Sequence, residues 1–202
     1  MKLNKKSLAI FLSKLKKQES VSASLEQYPT DSDSAAHILW HAYMSGDIED
    51  KVVADFGCGN GIFGIGALIL GAKKVYFVDI DKNSIEVAKK NSEDSEVEGV
   101  FVNKDISEFS EKVDCVLMNP PFGVQNEHAD KVFLEKAMKL SDKIYSLHKI
   151  ESGNFIKALS KDHDFLVEGV MEFKFILKQT MQFHKKGEYA VRVGCWVLKR
   201  KL

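Results

Sequence analysis

Lys51-Val-Val-Ala-Asp-Phe-Gly-Cys-Gly-Asn-Gly-Ile62 begins as a short apolar run, meets an acid, breaks on three alternate glycines and resumes as an apolar pattern to Leu70. An apolar run ended by glycines and followed by helical periodicity predicts a buried strand, a tight turn and a helix. Gly71 stands where a helix C-cap belongs. Downstream the unit repeats. Val75–Val78 reads as a second strand, Ser84–Asn91 as a helix, Val100 and Val102 as a short third strand, and Val113–Met118 as a fourth. Lys131–Leu140 reads as a helix, Lys143–Leu147 as a fifth strand and Ser152–Leu159 as another helix. Strands alternating with helices imply a parallel sheet covered on both faces. Phe165–Leu177 and Tyr189–Leu198 then read as two strands with no helix between them, which predicts a closing antiparallel hairpin.

Upstream, residues 4–17 form a basic amphipathic pattern with Leu8, Phe11, Leu12 and Leu15 on one face. Ser20–Thr30 reads as a connecting loop, and Ser32–Met44 as a helix with Ala36, Ile38, Leu39 and Ala42 inward. The expected organisation is an N-terminal helical extension over 1–45, packed on a domain over 46–202.

The 202 residues are 45% hydrophobic and 29% charged, the balance of a globular protein with a core. Basic and acidic residues are equal at 29 each, which argues against a general polyanion coat but leaves room for a local basic face. Arg192 and Arg200 are the only arginines, so recognition of guanine through arginine forks is not expected. Cys58, Cys115 and Cys195 are far apart and make no CxxC pair. Neither a zinc site nor a disulfide framework is expected, and a reducing cytoplasm fits. No apolar run reaches the length of a membrane span.

In a doubly wound sheet, ligands bind beyond the carboxyl ends of the strands. Asp55, Gly57, Gly59, Asn60 and Gly61 fall at such an end, and Gly59, Gly61 and Gly64 also match GxGxxG. Asp79, 20 residues after Gly59, ends the second strand, where a carboxylate accepts both hydroxyls of a ribose. NAD and S-adenosylmethionine both carry an adenosine ribose, so this pattern alone does not separate them.

Asn119-Pro120-Pro121-Phe122 follows the fourth strand. Two prolines fix the backbone and remove two N–H donors. What remains is a rim of acceptors, the Asn119 amide oxygen and the Pro120 carbonyl, suited to an NH2 group on a planar ring or amide. Holding both protons directs the nitrogen lone pair out of plane, toward a methyl donor. Phe122 offers a stacking face, worth roughly 1–3 kcal/mol per base in other systems. Together the two motifs favour methyl transfer over hydride transfer.

These residues resemble class I methyltransferases acting on exocyclic amines. Leu25-Glu-Gln-Tyr-Pro-Thr30, Asn119-Pro-Pro-Phe-Gly123, Tyr145-Ser-Leu-His-Lys149 and Phe183-His-Lys-Lys186 are similar, in the same order, to the methyltransferase-like five family. The resemblance runs from about residue 20 to the C-terminus. It implies a Rossmann-like seven-stranded α/β sheet, doubly wound, with the last strand antiparallel. It implies S-adenosylmethionine as cofactor, with contacts at Gln27, Thr30, Gly57, Asn60, Ile62, Asp79, Asp105 and Ile106. Asn60 departs from a frequent Cys. The implied substrate is an adenosine N6 amine in ribosomal RNA, and eukaryotic members work with a small zinc-containing activator, for which the third strand would be an edge. Asn119, Pro120, Pro121 and Phe122 are the expected catalytic set.

Tyr28 sits in a loop able to fold over cofactor and substrate. Lys149, His184, Lys185 and Lys186 are candidate substrate contacts, although Phe183–Lys186 reads equally as a charged hairpin loop. Transfer from a sulfonium needs neither a metal nor a strong base, so no metal ligand is expected, and His148 reads as a satisfied polar residue. Lys5, Lys6, Lys14, Lys16 and Lys17 read as a solvated helix face. Competing readings are a guanine N2 methyltransferase, a protein glutamine-amide methyltransferase and a non-catalytic nucleotide-binding module.

Overall fold

β1 (Val52–Phe56) lies inside a seven-stranded sheet, paired in parallel with β2 (Lys74–Asp79) on one side and β4 (Cys115–Met118) on the other. In the computed structural model, which describes residues 3–17, 30–121, 129–178 and 188–201, the strand order is β3-β2-β1-β4-β5-β7-β6. β3 (Val100–Asn103) and β5 (Lys143–Lys149) extend the parallel block. β7 (Glu188–Arg200) enters antiparallel between β5 and β6 (Phe165–Lys178). The doubly wound sheet with an antiparallel last strand is therefore as the sequence implies.

Helices cover both faces. α1 (Lys5–Leu12), α2 (Ser32–Met44), α3 (Ile62–Ile69) and α4 (Lys82–Asp94) pack one face around Leu8, Leu39, Ile65 and Phe77. On the other face, α5 (Ala129–Leu140) and α6 (Gly153–Asp162) contribute Leu134, Met138 and Ile156 against Phe56 and Met118. Adjacent strand residues alternate between the two cores, as Leu117 and Met118 do. A strand buried on both faces explains the unbroken apolar runs. The inward residues expected of α2 are all buried.

Most elements differ from expectation by a few residues at one end or both, and two of these differences have a visible cause. α1 stops at Leu12 rather than running to 17, because the chain leaves the helix and Lys16 is bonded through its backbone to Asn91. β4 starts at Cys115 rather than Val113, since Val113 N donates to Leu140 O, outside the ladder. Gly71 follows α3 at φ +89°, the left-handed conformation expected of that position.

β1, β2, β3, β4 and β5 all end at one edge. β6 also ends there and β7 begins there, because β7 runs the other way. The β6–β7 ribbon continues past the end of β5, from Lys174↔Arg192 to Lys178↔Glu188, so it overhangs this carboxyl edge.

Candidate active site

The glycine turn is held from below and from the side. Gly57, Gly59 and Gly61 adopt φ of +65°, +53° and +83°, the region that favours glycine. Gly57 N and Cys58 N both donate to Val78 O, at 2.8 and 3.1 Å. Asp55 is buried beneath the turn, and its Oδ2 accepts from Gly64 N at 2.8 Å, bonding a donor in the first turn of α3. Burial pushes the Asp55 carboxyl up, partly offset by this bond. A Cβ at Gly59 would meet nothing within 4 Å, so the backbone there faces open space.

Asp79 closes the turn from β2. Its Oδ2 accepts from Gly59 N and its Oδ1 from Asp81 N, both at 2.9 Å. Burial raises its pKa, while the two backbone bonds act the other way. Each oxygen retains capacity for a second hydrogen bond. Asp81, two residues on, caps α4 through Asn83 N and Ser84 N instead. Between them Ile80 is 60% exposed, a large apolar side chain standing at the carboxyl edge. Asn103 at the end of β3 donates to Asp79 O and Ile80 O, both at 3.0 Å, fixing this corner. Asp105 and Ile106 follow; Asp105 Oδ1 accepts from Ser107 N at 2.8 Å, and its hydrogen bonds to Ser107 hold its pKa down.

Asn119 leaves β4 on the same edge, with its Nδ2 donating to Thr30 Oγ1 at 3.1 Å. Pro120 is buried and Pro121 half-buried. Behind them in β5, Ser146 Oγ and His148 Nε2 are hydrogen-bonded at 2.6 Å, and His148 Nδ1 faces Asp130 Oδ2 of α5 at 3.8 Å. Burial lowers the His148 pKa to about 3, so the ring is neutral at physiological pH.

One carboxyl edge thus joins a glycine turn, a strand-end carboxylate and an Asn-Pro-Pro rim. The methyltransferase small-domain model matches residues 29–143, more than half of the chain. The chain belongs to the methyltransferase small-domain family. The rRNA N(6)-adenosine-methyltransferase METTL5 of Danio rerio is 34% identical over 177 residues, covering 84% of this chain and 86% of its own. MJ0284 of Methanocaldococcus jannaschii is 37% identical, covering 91% and 89%. The solved structure of PH1948 from Pyrococcus horikoshii, a candidate RNA methyltransferase, matches with a TM-score of 0.92 at 42% identity over 100% of both chains.

In this methyltransferase, Asp55, Gly57, Gly59, Asn60, Gly61, Ile62 and Asp79 converge on one turn, with Asp105 and Ile106 beyond the neighbouring strand end. Thr30 and Asn119 are in direct contact. Lys149 ends β5 on the same edge, half-buried. Asn60 is not turned toward the open side of the turn: its Nδ2 donates to Lys16 O at 3.2 Å. Gln27, Tyr28, Phe122, His184, Lys185 and Lys186 lie outside the described residues. Sequence reasoning missed Ile80, Asn91 and Asn103. An apolar residue immediately after a strand-end acid was the available signal for Ile80; asparagines in polar helices and at strand ends carry none.

Proposed function

We propose that this methyltransferase transfers the methyl group of S-adenosylmethionine to the exocyclic N6 amine of an adenosine in RNA, ribosomal RNA in particular. The observation that carries the reading is Asn119, held by Thr30 at the end of β4, on the edge that also carries the glycine turn and Asp79. The glycine turn suits the cofactor: open space at Gly59, a carboxylate at Asp79 for the ribose and an apolar side chain at Ile80 for the adenine. The cofactor supplies an electrophilic methyl group when bound.

The chain's own residues do the positioning. With its NH2 end on Thr30, the Asn119 amide presents Oδ1 as an acceptor. Oδ1 and the Pro120 carbonyl hold the two amine protons and turn the nitrogen lone pair toward the methyl group. The target base is unstacked to reach this rim, as chemistry on base atoms requires. Phe122 stacks on it, and Lys149, Lys185 and Lys186 contact phosphates. Alignment of the two reactants is the main source of rate. The kinship with METTL5 supports ribosomal RNA as the substrate.

The partner on this reading is a small zinc-containing activator that adds a strand to β3, whose outer edge pairs with no strand among the described residues and whose Val100 is exposed. The proposed location is the cytoplasm, where the buried thiols Cys58, Cys115 and Cys195 stay reduced. No described helix is long and apolar enough to cross a membrane.

The test is labelled methyl transfer to total RNA followed by nucleoside analysis. N6-methyladenosine is the expected product. N2-methylguanosine moves the substrate to guanine, a labelled glutamine amide overturns the RNA reading, and cofactor binding without transfer to any acceptor leaves only a binding module.

A further inference from the structure

After α1 the chain brings Lys16 to the place where α4 meets the glycine turn. Asn91, buried in α4, grips it with both ends of its amide. Its Oδ1 accepts from Lys16 N at 2.9 Å, while its Nδ2 donates to Lys16 O and to Asn60 O, both at 3.0 Å. Asn60 Nδ2 donates to the same Lys16 carbonyl. One side chain therefore joins the N-terminal arm, α4 and the residue between Gly59 and Gly61. Outside this junction, Lys16 Nζ pairs with Asp94 Oδ2 at 2.8 Å.

A turn built on glycines has little shape of its own, because glycine crosses between backbone conformations at low cost. Its shape is set by what holds it. Asp79 holds Gly59 N from β2, and Asn91 holds Asn60 O from α4. A buried amide with its bonds satisfied specifies one arrangement. Leu8, Leu12 and Leu15 seat the arm in the core beside α2 and α3, so the junction has a fixed base.

We propose that Asn91 is a positioning residue for the cofactor: by fastening the backbone of Lys16 to that of Asn60, it makes α1 and its following arm part of the cofactor-binding apparatus. α1 and the arm that carries Lys16 lie ahead of the segment that the family model matches, whereas Asn60 and Asn91 lie within it. The inference rests on the reading that the glycine turn holds S-adenosylmethionine.

Three variants of the full chain test it, by calorimetry with S-adenosylmethionine and by steady-state methylation. Asn91→Ala weakens cofactor affinity by about tenfold, the scale of one or two hydrogen bonds. Its KM for the cofactor rises, while kcat at saturating cofactor and KM for RNA stay within about twofold of the parent. Lys16→Pro, which removes the N–H that Asn91 accepts together with the Asp94 ion pair and alters no core side chain, shifts the cofactor KM in the same direction. Lys16→Ala loses the Asp94 ion pair, keeps the backbone bonds and binds cofactor like the parent. If Asn91→Ala does not fold, Lys16→Pro decides. Parent-like affinity in a folded Asn91→Ala or Lys16→Pro overturns the proposal. So does an equal loss in Lys16→Ala, which would assign the effect to surface charge, or a fall in kcat at saturating cofactor. A parent protein that binds no S-adenosylmethionine at all refutes the reading of the glycine turn instead.

Discussion

Asn119 donates from Nδ2 to Thr30 Oγ1 at 3.1 Å, joining the end of β4 to the residue before the cap of α2 across 89 positions of sequence. The bond ties the Asn119 amide to the Thr30 hydroxyl. Asn119→Ala is expected to leave cofactor affinity nearly intact and to lower kcat on the order of a hundredfold or more, as removing a transition-state hydrogen bond does. Thr30→Val keeps the volume and loses the acceptor; its kcat should fall by about tenfold, from a misoriented amide. Near-normal turnover in purified Asn119→Ala would remove this residue from the chemistry.

Asp79→Ala removes a buried carboxylate that also holds Gly59 N and Asp81 N. Charge-assisted bonds to a ribose are worth about 1.5–3 kcal/mol, so affinity for S-adenosylmethionine should drop about ten- to a hundredfold. Calorimetry giving unchanged affinity, or equally good binding of NAD by the parent, would contradict the assignment.

Gly59 and Gly64 separate cofactor room from core room. A Cβ at Gly64 would stand 2.2 Å from the Phe77 ring, which stacks on Phe101 with centroids 4.7 Å apart. Gly64→Ala should therefore cost about 1–3 kcal/mol by overpacking and lower Tm. At Gly59 a Cβ meets only open space but sits at φ +53°. Gly59→Ala should cost about 1–2 kcal/mol in stability and a larger share of cofactor affinity. Thermal melts with and without cofactor distinguish the two.

His148 gives a pH signature of stability. Its pKa is lowered to about 3 by burial, against about 6.5 in an unfolded chain. Between these values the unfolded state binds the extra proton, so the contribution is complete above about pH 6.5 and is lost as pH falls toward 3. The slope reaches about 1.4 kcal/mol per pH unit. Denaturant titrations from pH 7 to pH 4 should show a shallower decline in His148→Asn than in the parent. Rate profiles near neutral pH should show no step assignable to this ring.

Phe183-His-Lys-Lys186 lies in sequence between Lys178, where β6 ends, and Glu188, where β7 begins, both at the carboxyl edge. Replacing Lys185 and Lys186 by Ala should weaken binding to all RNAs alike. It should also flatten the salt dependence by about one unit of log–log slope for each phosphate no longer neutralised. An affinity and slope equal to the parent's would leave these lysines as solvated loop residues.

The strand–turn–helix order was legible because β1 and its turn carry local signals: apolar Val52 to Ala54, a buried acid, then glycines that the backbone needs at positive φ. The Asn-Pro-Pro rim was legible for the same reason, since proline restricts its own neighbourhood. Other features are set by distant partners. Nothing in the sequence of α4 distinguishes Asn91, which grips Lys16 across 75 positions, from the solvated polar residues around it. The periodicity of residues 4–17 continues to Leu15, yet the helix stops at Leu12, because tertiary bonds to Lys16 outweigh local propensity. The exposure of Ile80 likewise follows from where β3 and β2 end together, which pairing decides.

The insertion of β7 between β5 and β6 has a consequence for how the molecule is made. Among the described residues β6 pairs with no other strand, and β5 has β7 on the side away from β4. A chain emerging from N- to C-terminus can complete β3-β2-β1-β4-β5 while β6 still waits, fully synthesised, for its mate. Only when residues 193–199 have left the ribosome does β5 gain its second neighbour. Until then the side of β5 that β7 will pair is bare and β6 lacks its partner, and the overhanging ribbon beside the active edge is the last part of the sheet to be zipped.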